Sequence, residues 1–311
     1  MANKGRKRGP NKGGNDMKNI LLATDLGPNS DRAMERALKL AKEQRSTLHV
    51  VHVAAAPSRS NRQKDTSDDL KDIETFIQAS LDNYKDTKDI KTNVIVKQGG
   101  EVFFEILEAA YANKAELIVI GTHGKERFRD LFVGTTIERL IRKGIIPVLM
   151  VKDKPVGSYK NILNAIDFAT CSRGAMRLAM GLAPKASFTV GHVVILPTVT
   201  ISAHGASAFV HEYVQESAEK SARQHMKAFL KTEATYLAKN HGGKEAQISG
   251  KFLDGGVASS LSKSAKNIKA DLITIGTHSQ PEFTSKLGGT AGDVLAKPPC
   301  DVLVTTELMQ Q

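Results

Sequence analysis

Apolar residues in this chain fall into short, β-branched runs separated by longer stretches with helical spacing. The runs Ile20–Thr24, Leu48–Val53, Thr92–Lys97, Leu117–Ile120 and Val148–Val151 are continuous rather than alternating, which predicts strands buried on both faces. Between the first two, Pro28, Asn29 and Ser30 give a helix start, and Met34, Ala37, Leu38 and Ala41 follow on one face. Leu70, Ile73, Phe76, Ile77, Leu81 and Tyr84 predict a second helix. Val102, Phe103, Ile106, Leu107 and Ala110 predict a third after Gly99-Gly100, and residues 136–143 a fourth. Strands alternating with helices imply a parallel sheet covered on both faces, because a parallel connection needs a crossover and the crossover is a helix.

The same order then recurs. Tyr159 to Asp167 repeats Met17 to Asp25, with Lys-Asn-Ile-Leu shared, and Gly191-His192-Val193 answers Val51-His52-Val53. Asp254-Gly255-Gly256 answers Gln98-Gly99-Gly100, and Ala270 to His278 answers Ala115 to His123. The chain reads as a tandem duplication: domains at 18–153 and 159–306, a linker at 154–158 holding Pro155 and Gly157, and tails at 1–17 and 307–311. Repeat 2 departs from repeat 1 after its second strand. Residues 195–210 are rich in Ser, Thr and Ala and predict a loop, followed by a helix over about 211–240.

At 311 residues the chain can hold two sizeable cores. No apolar run approaches the roughly 18–20 residues of a membrane helix, and the basic N-terminus has no apolar segment after it, so it does not read as a secretory signal. Cys171 and Cys300 form no metal-ligand spacing, which fits a reduced cytoplasm without disulfides. The net charge is +11, and residues 1–18 hold six basic residues against one acidic. With Gly5, Gly9, Pro10, Gly13 and Gly14 among those lysines and arginines, residues 1–17 read as a solvated, disordered tail. Arg6-Lys7-Arg8-Gly9-Pro10 leaves open a nucleic-acid tether of the minor-groove-arm type.

The candidate chemistry lies where the run ending at Ile120 breaks into Gly121, Thr122, His123 and Gly124, with Gly134, Thr135 and Thr136 following after a nine-residue spacer. Glycine lets backbone approach a ligand closely, and hydroxyls at a helix start join N–H groups that already favour an anion. The pattern fits a phosphate cradle; turns alone would produce the same glycines. Other nucleotide and hydrolase signatures are missing: there is no G-x-G-x-x-G after the first strand, no P-loop and no G-x-S-x-G elbow.

Gly121-x2-Gly124-x9-Gly134-Thr135 resembles the nucleotide-binding signature of the universal stress protein (UspA-like) superfamily, and the flanking strands are similar too. The resemblance covers most of the chain from Lys18. It implies two Rossmann-like α/β domains of the adenine nucleotide alpha hydrolase-like kind, each a five-stranded parallel sheet of order 3-2-1-4-5 with helices on both faces. It implies ATP, with Mg²⁺ held among the phosphates. Ala23, Thr24 and Asp25 then line the nucleoside side, and the Val53 backbone meets the adenine edge. Ile120, Gly121, His123 and Gly124 border ribose and phosphates, and Gly134, Thr135 and Thr136 donate to the phosphates. A capping role for Asp25 on the next helix is compatible with this. In repeat 2, Asp167, Val193, Gly276, His278, Gly289 and Thr290 fall at matching places, with His192 beside them. Ser279 replaces the second glycine and Ala291 the second threonine, so nucleotide binding is expected mainly in repeat 1.

The function implied is a cytoplasmic, ATP-binding stress-response regulatory module, with any hydrolysis slow or incidental because His123 has no evident partner as a base. The rival reading is an interaction scaffold without nucleotide, its repeats pairing through Val148–Val151 and Val302–Val304, with homodimerisation also open.

Overall fold

The computed structural model describes residues 17–56, 66–84, 89–122, 135–194, 207–242, 247–277 and 289–306. Repeat 1 runs β1 (Asn19–Thr24), α1 (Pro28–Gln44), β2 (Thr47–Ala54), α2 (Thr66–Asp82), β3 (Thr92–Gln98), α3 (Val102–Ala112), β4 (Leu117–Gly121), α4 (Thr135–Lys143) and β5 (Val148–Val151). Repeat 2 follows as β6 (Asn161–Ala165), α5 (Thr170–Leu182), β7 (Ser187–Val193), α6 (Ser207–His241), β8 (Ile248–Leu253), α7 (Val257–Asn267), β9 (Leu272–Thr277), α8 (Gly289–Ala296) and β10 (Asp301–Thr306).

The strands form one ten-stranded sheet of order β3-β2-β1-β4-β5-β10-β9-β6-β7-β8, so each half has the expected 3-2-1-4-5 order. Every pairing within a half is parallel. The halves join through β5 and β10, antiparallel, with Val302 opposite Met150 and Val304 opposite Val148. Each of these strands would otherwise be a bare apolar edge, and pairing removes both. Period-2 alternation divides β1 between two cores: Ile20 and Leu22 belong to the one that also takes in α1, α2, α5 and α6, while Leu21 and Ala23 belong to the one that takes in α3, α4, α7 and α8.

Local chemistry explains the helix ends. Pro28 opens α1 where a missing N–H costs nothing, and Asp31 sits in its first turn. The helix stops at Arg45, which is left-handed (φ 56°) and returns its N–H to the carbonyls of Ala41 and Lys42.

One boundary differs from that expected. The Ser/Thr/Ala-rich segment does not remain irregular to 210: α6 begins at Ser207. Serine is among the residues that suit the start of a helix, and Ala208 after it has the highest helix propensity of any residue. Met17, the last residue of the expected N-terminal tail, is buried, and its carbonyl accepts the Ser46 hydroxyl at 2.6 Å. Residues 1–16, and the stretch 195–206 of the expected loop, lie outside the described residues.

Charged side chains are buried at two places that the sequence pattern does not mark. Asp301 of β10 accepts the Tyr159 hydroxyl (2.7 Å) and the N–H groups of Lys152 (2.9 Å) and Asp153 (3.3 Å). Arg36 of α1 lies 3.3 Å from the same carboxylate through Nε, close enough to pair in charge but out of line for a hydrogen bond. Its guanidinium covers the Tyr159 ring at 3.9 Å and donates to the Gly157 carbonyl. One carboxylate thus ties β10 to the end of β5, the connecting segment and α1. In repeat 2, Glu233 is fully buried and binds Arg177 through two bonds (2.8 and 3.0 Å) with Arg173 at 3.2 Å, docking α6 on α5.

Candidate functional site

Strand order reverses on either side of β1, which pairs with β2 on one side and β4 on the other. Helices leave such neighbouring strands toward opposite faces, so a crevice opens at their carboxyl ends. Here it is a cleft of about 300 Å³. Ala23, Thr24, Asp25, Val53, Ile120, Gly121 and Thr136 all line it, from four separate segments of sequence. Ser30, His52, Val102, Ile106 and Thr122 line it as well, and sequence reasoning did not single them out as site residues. Two of these had a readable signal. Ser30 follows Asp25 by five residues, as Ser172 follows Asp167, and Val102 and Val257 each come shortly after a glycine pair. Thr135 begins α4, but its side chain lies outside the described set, as do His123, Gly124 and Gly134.

Asp25 fixes the turn before α1. Its Oδ1 accepts the Gly27 N–H at 3.0 Å and the Ser30 hydroxyl, while the Asp25 N–H donates to Ser30 Oγ at 3.2 Å. Leu26 takes a left-handed turn (φ 59°) and gives its N–H to Thr24 Oγ1. Repeat 2 builds the same turn from different residues. Asp167 Oδ1 accepts the Ala169 N–H (3.0 Å) and the Ser172 hydroxyl (2.6 Å), and Phe168 is left-handed at φ 64°. Neither carboxylate caps its helix, as the expected capping role would require; each instead fixes the turn before it and lies at the cleft wall.

Gly121 is needed for a reason other than ligand approach. A Cβ there would stand 2.6 Å from the Asn29 carbonyl oxygen, and one on Gly276 would stand 2.3 Å from the Ser172 nitrogen. Each glycine lets the end of its fourth strand pass against the first turn of the first helix. The bond from His52 Nδ1 to the Thr24 carbonyl (2.9 Å) holds the ends of β1 and β2 together, and His192 does the same with Ile166 (2.7 Å). A carbonyl only accepts, so Nδ1 carries the proton in both rings.

The matching cleft of repeat 2 is about 590 Å³, lined by Asp167, Ser172, His192, Val193, Gly276 and Thr290 among others. Gly289 opens α8 at φ 71° and is not in its wall, and His278 lies outside the described residues. Helix α6 adds a side that the first cleft lacks, through Ala218, Ser221, Ala222 and His225. Among the described residues no group of three or more His, Cys, Asp or Glu is placed to hold a metal ion, and no helix is long and apolar enough to cross a membrane. Cys171 and Cys300 are both buried and outside any disulfide, and burial pushes the Cys300 thiol far up.

Comparison with known proteins agrees with this geometry. A universal stress protein of Methanocaldococcus jannaschii is 30% identical over 145 residues, 45% of this chain and 85% of that protein. The crystal structure of a universal stress protein from Archaeoglobus fulgidus matches 93% of this chain and 98% of its own, at 18% identity and a TM-score of 0.59. A functionally unknown protein from Pseudomonas aeruginosa matches 94% of each chain, at 18% identity and a TM-score of 0.63. The two solved structures, matched over nearly their whole length, show a shared fold across both repeats. The model of the universal stress protein family matches twice, over residues 17–152 and 158–306, and the chain belongs to that family.

Proposed function

We propose that the protein is a cytoplasmic regulatory module that binds ATP, mainly through the cleft of repeat 1, with Mg²⁺ accompanying the phosphates. The observation that supports this reading best is convergence: seven candidate residues separated by as much as 113 positions, from Ala23 to Thr136, line one cleft at the switch point of the sheet. The donor set fits the ligand. Val51, Val53, Val102 and Ile106 give apolar walls suited to an adenine ring, and the Val53 backbone runs along the edge of β2. Asp25, Thr136 and the start of α4 supply polar groups for ribose and phosphates, and an anion is favoured at a helix N-terminus. His123, Gly124, Gly134 and Thr135 complete the phosphate side in this proposal. Asp167, Val193, Gly276, His278, Gly289 and Thr290 of repeat 2 bind nucleotide weakly at most, because Ser279 and Ala291 break the motif. Binding shifts the protein between conformers or partners. Two buried cysteines outside any disulfide fit a reducing compartment.

Replacing Val102 with Trp tests the reading. The residue is 45% exposed, so the helix tolerates the change, while the indole fills the cleft. ATP affinity should fall by at least about tenfold, roughly 1.4 kcal/mol, with thermal stability kept; unchanged affinity would overturn the site. The scaffold reading draws on the β5–β10 junction, which persists whatever the clefts hold. It is favoured if the purified chain binds no adenine nucleotide.

A further inference from the structure

We propose that the protein pairs with a second copy of itself across one helical face of the sheet, α3 of each copy lying against α7 of the other. The inference goes beyond the nucleotide reading and does not depend on it.

Two repeats of one fold serve as controls for each other's surfaces. Of the six large apolar side chains well exposed among the described residues, three lie together: Phe104 (58% exposed) and Tyr111 (46%) on α3, and Ile145 (45%) just after α4. The Ile145 N–H donates to the Tyr111 hydroxyl at 3.5 Å, which puts both in one patch. Phe104, Glu108 and Tyr111 follow one another at helical spacing along a single stripe. Helices α3 and α7 are each 11 residues long and join equivalent strands, so these positions correspond to Ser259, Lys263 and Lys266, all exposed. The fold therefore needs no aromatic side chain there, yet repeat 1 carries two. Aromatic side chains on a surface are enriched where another protein covers them.

Charge and symmetry say what covers this face. Helices α3, α4, α7 and α8 pack on the same side of the ten-stranded sheet. The antiparallel β5–β10 pair, with Leu303 opposite Leu149, relates the two halves by an approximate two-fold axis normal to that sheet. When a second copy is laid face to face, with the new two-fold axis along the strands, α3 meets α7 twice in one closed dimer. The paired helices run antiparallel, which sets Glu108 toward Lys263 as an ion pair and Lys266 over the Phe104 ring as a cation–π contact. Glu108 is held by Lys97 at 2.9 Å but keeps 54% of its side chain exposed, leaving room for a second cation. Between these contacts, exposed Arg139 and Arg142 of α4 face exposed Asp293 of α8. The other face-to-face arrangement, α3 on α3, opposes Glu108 to Glu108 and Lys263 to Lys263, and like charges disfavour it. A helix of this length is about 16 Å long and about 10 Å wide, so the two contacts counted on both copies cover on the order of 600 Å² before α4 and α8 are added. That is the low end of specific interfaces, and the expected Kd is on the order of 10 µM.

Sedimentation of the full-length chain between about 1 and 200 µM tests the pairing and should show a monomer–dimer equilibrium. The double variant Phe104→Ser, Tyr111→Lys gives repeat 1 the residues that the same fold carries in repeat 2. It should fold, as a thermal melt checks, and weaken the dimer at least about tenfold. Cysteine pairing identifies the contact and carries the test if that variant does not fold, since Cys171 and Cys300 are buried. Glu108→Cys chains mixed with Lys263→Cys chains should form a disulfide-linked dimer under mild oxidation, faster than either variant alone. A chain that stays monomeric at about 200 µM would overturn the proposal and leave the face to a different partner. A dimer unchanged by the double variant would overturn it too. Cross-linking of Glu108→Cys to itself in preference to Lys263→Cys would overturn the α3–α7 arrangement. ATP titrations of the same proteins report separately on the cleft of repeat 1.

Discussion

The junction carboxylate gives the sharpest energetic prediction. Asp301 is 1% exposed and Arg36 5%, so neither recovers water if its partner is removed. In Asp301→Ala the Tyr159 hydroxyl and the Lys152 and Asp153 N–H groups lose their shared acceptor, and the Arg36 guanidinium loses its counter-charge, all together. Breaking a buried ion pair from one side costs about 3–5 kcal/mol, and that is the expected loss. Asp301→Asn separates charge from hydrogen bonding. Burial pushes the Asp301 carboxyl pKa up despite the downward pull of Arg36 and the N–H donors, so desolvation outweighs the attraction and removing the charge alone is cheap. Asn keeps one carbonyl oxygen for the two backbone donors but turns an amide toward Arg36. The cost should be about 1–3 kcal/mol, that of an imperfectly satisfied buried polar group. Urea unfolding followed by far-ultraviolet circular dichroism measures both. An Asp301→Ala variant within about 1 kcal/mol of the parent, or Asn as damaging as Ala, would refute the reasoning.

Two further predictions concern stability. Gly121→Ala and Gly276→Ala should each cost about 1–3 kcal/mol, with Gly276→Ala the worse because its Cβ would meet backbone at 2.3 Å rather than 2.6 Å. Gly157→Ala, with nothing within 4 Å of its Cβ, is the neutral control; equal melting temperatures for all three would contradict the packing role. His49 accepts from Asn93 at Nδ1 and donates from Nε2 to Asn19, and burial, then Lys91, lowers its pKa. A lowered folded pKa means the stability it contributes is present above the unfolded value of about 6.5 and is lost as pH falls through that value toward the folded one. Urea midpoints should therefore drop between about pH 7.5 and 5.5, with a shallower drop in His49→Gln. Identical slopes would exclude His49 as the source.

Much of the architecture was legible because it rests on local pattern. Runs such as Leu117–Ile120 and the recurrence of Lys-Asn-Ile-Leu marked the strands and the duplication, and the strand order followed from the family resemblance. Convergence of Asp25, Val53 and Gly121 on one cleft followed from the order of strands. Other features were illegible because they depend on partners far away in sequence. Nothing near Asp301 announces that Arg36 will lie against it, and Glu233 sits on a helix face where a carboxylate normally meets water. Gly121 was readable as a required glycine, but the close neighbour that requires it, Asn29, emerged only with the packing of α1. The wall that α6 adds to the second cleft was hidden for a similar reason: nothing in the sequence near Ala218 and Ala222 puts them beside a cleft.

The nucleotide assignment is tested most directly by calorimetric titration of Mg·ATP into the full-length chain after any co-purified nucleotide is stripped. The account predicts one equivalent per chain, abolished by Gly124→Val, from a working repeat 1 beside a repeat 2 that Ser279 and Ala291 have disabled. Two equivalents would contradict the demotion of repeat 2, and no binding would contradict the assignment itself.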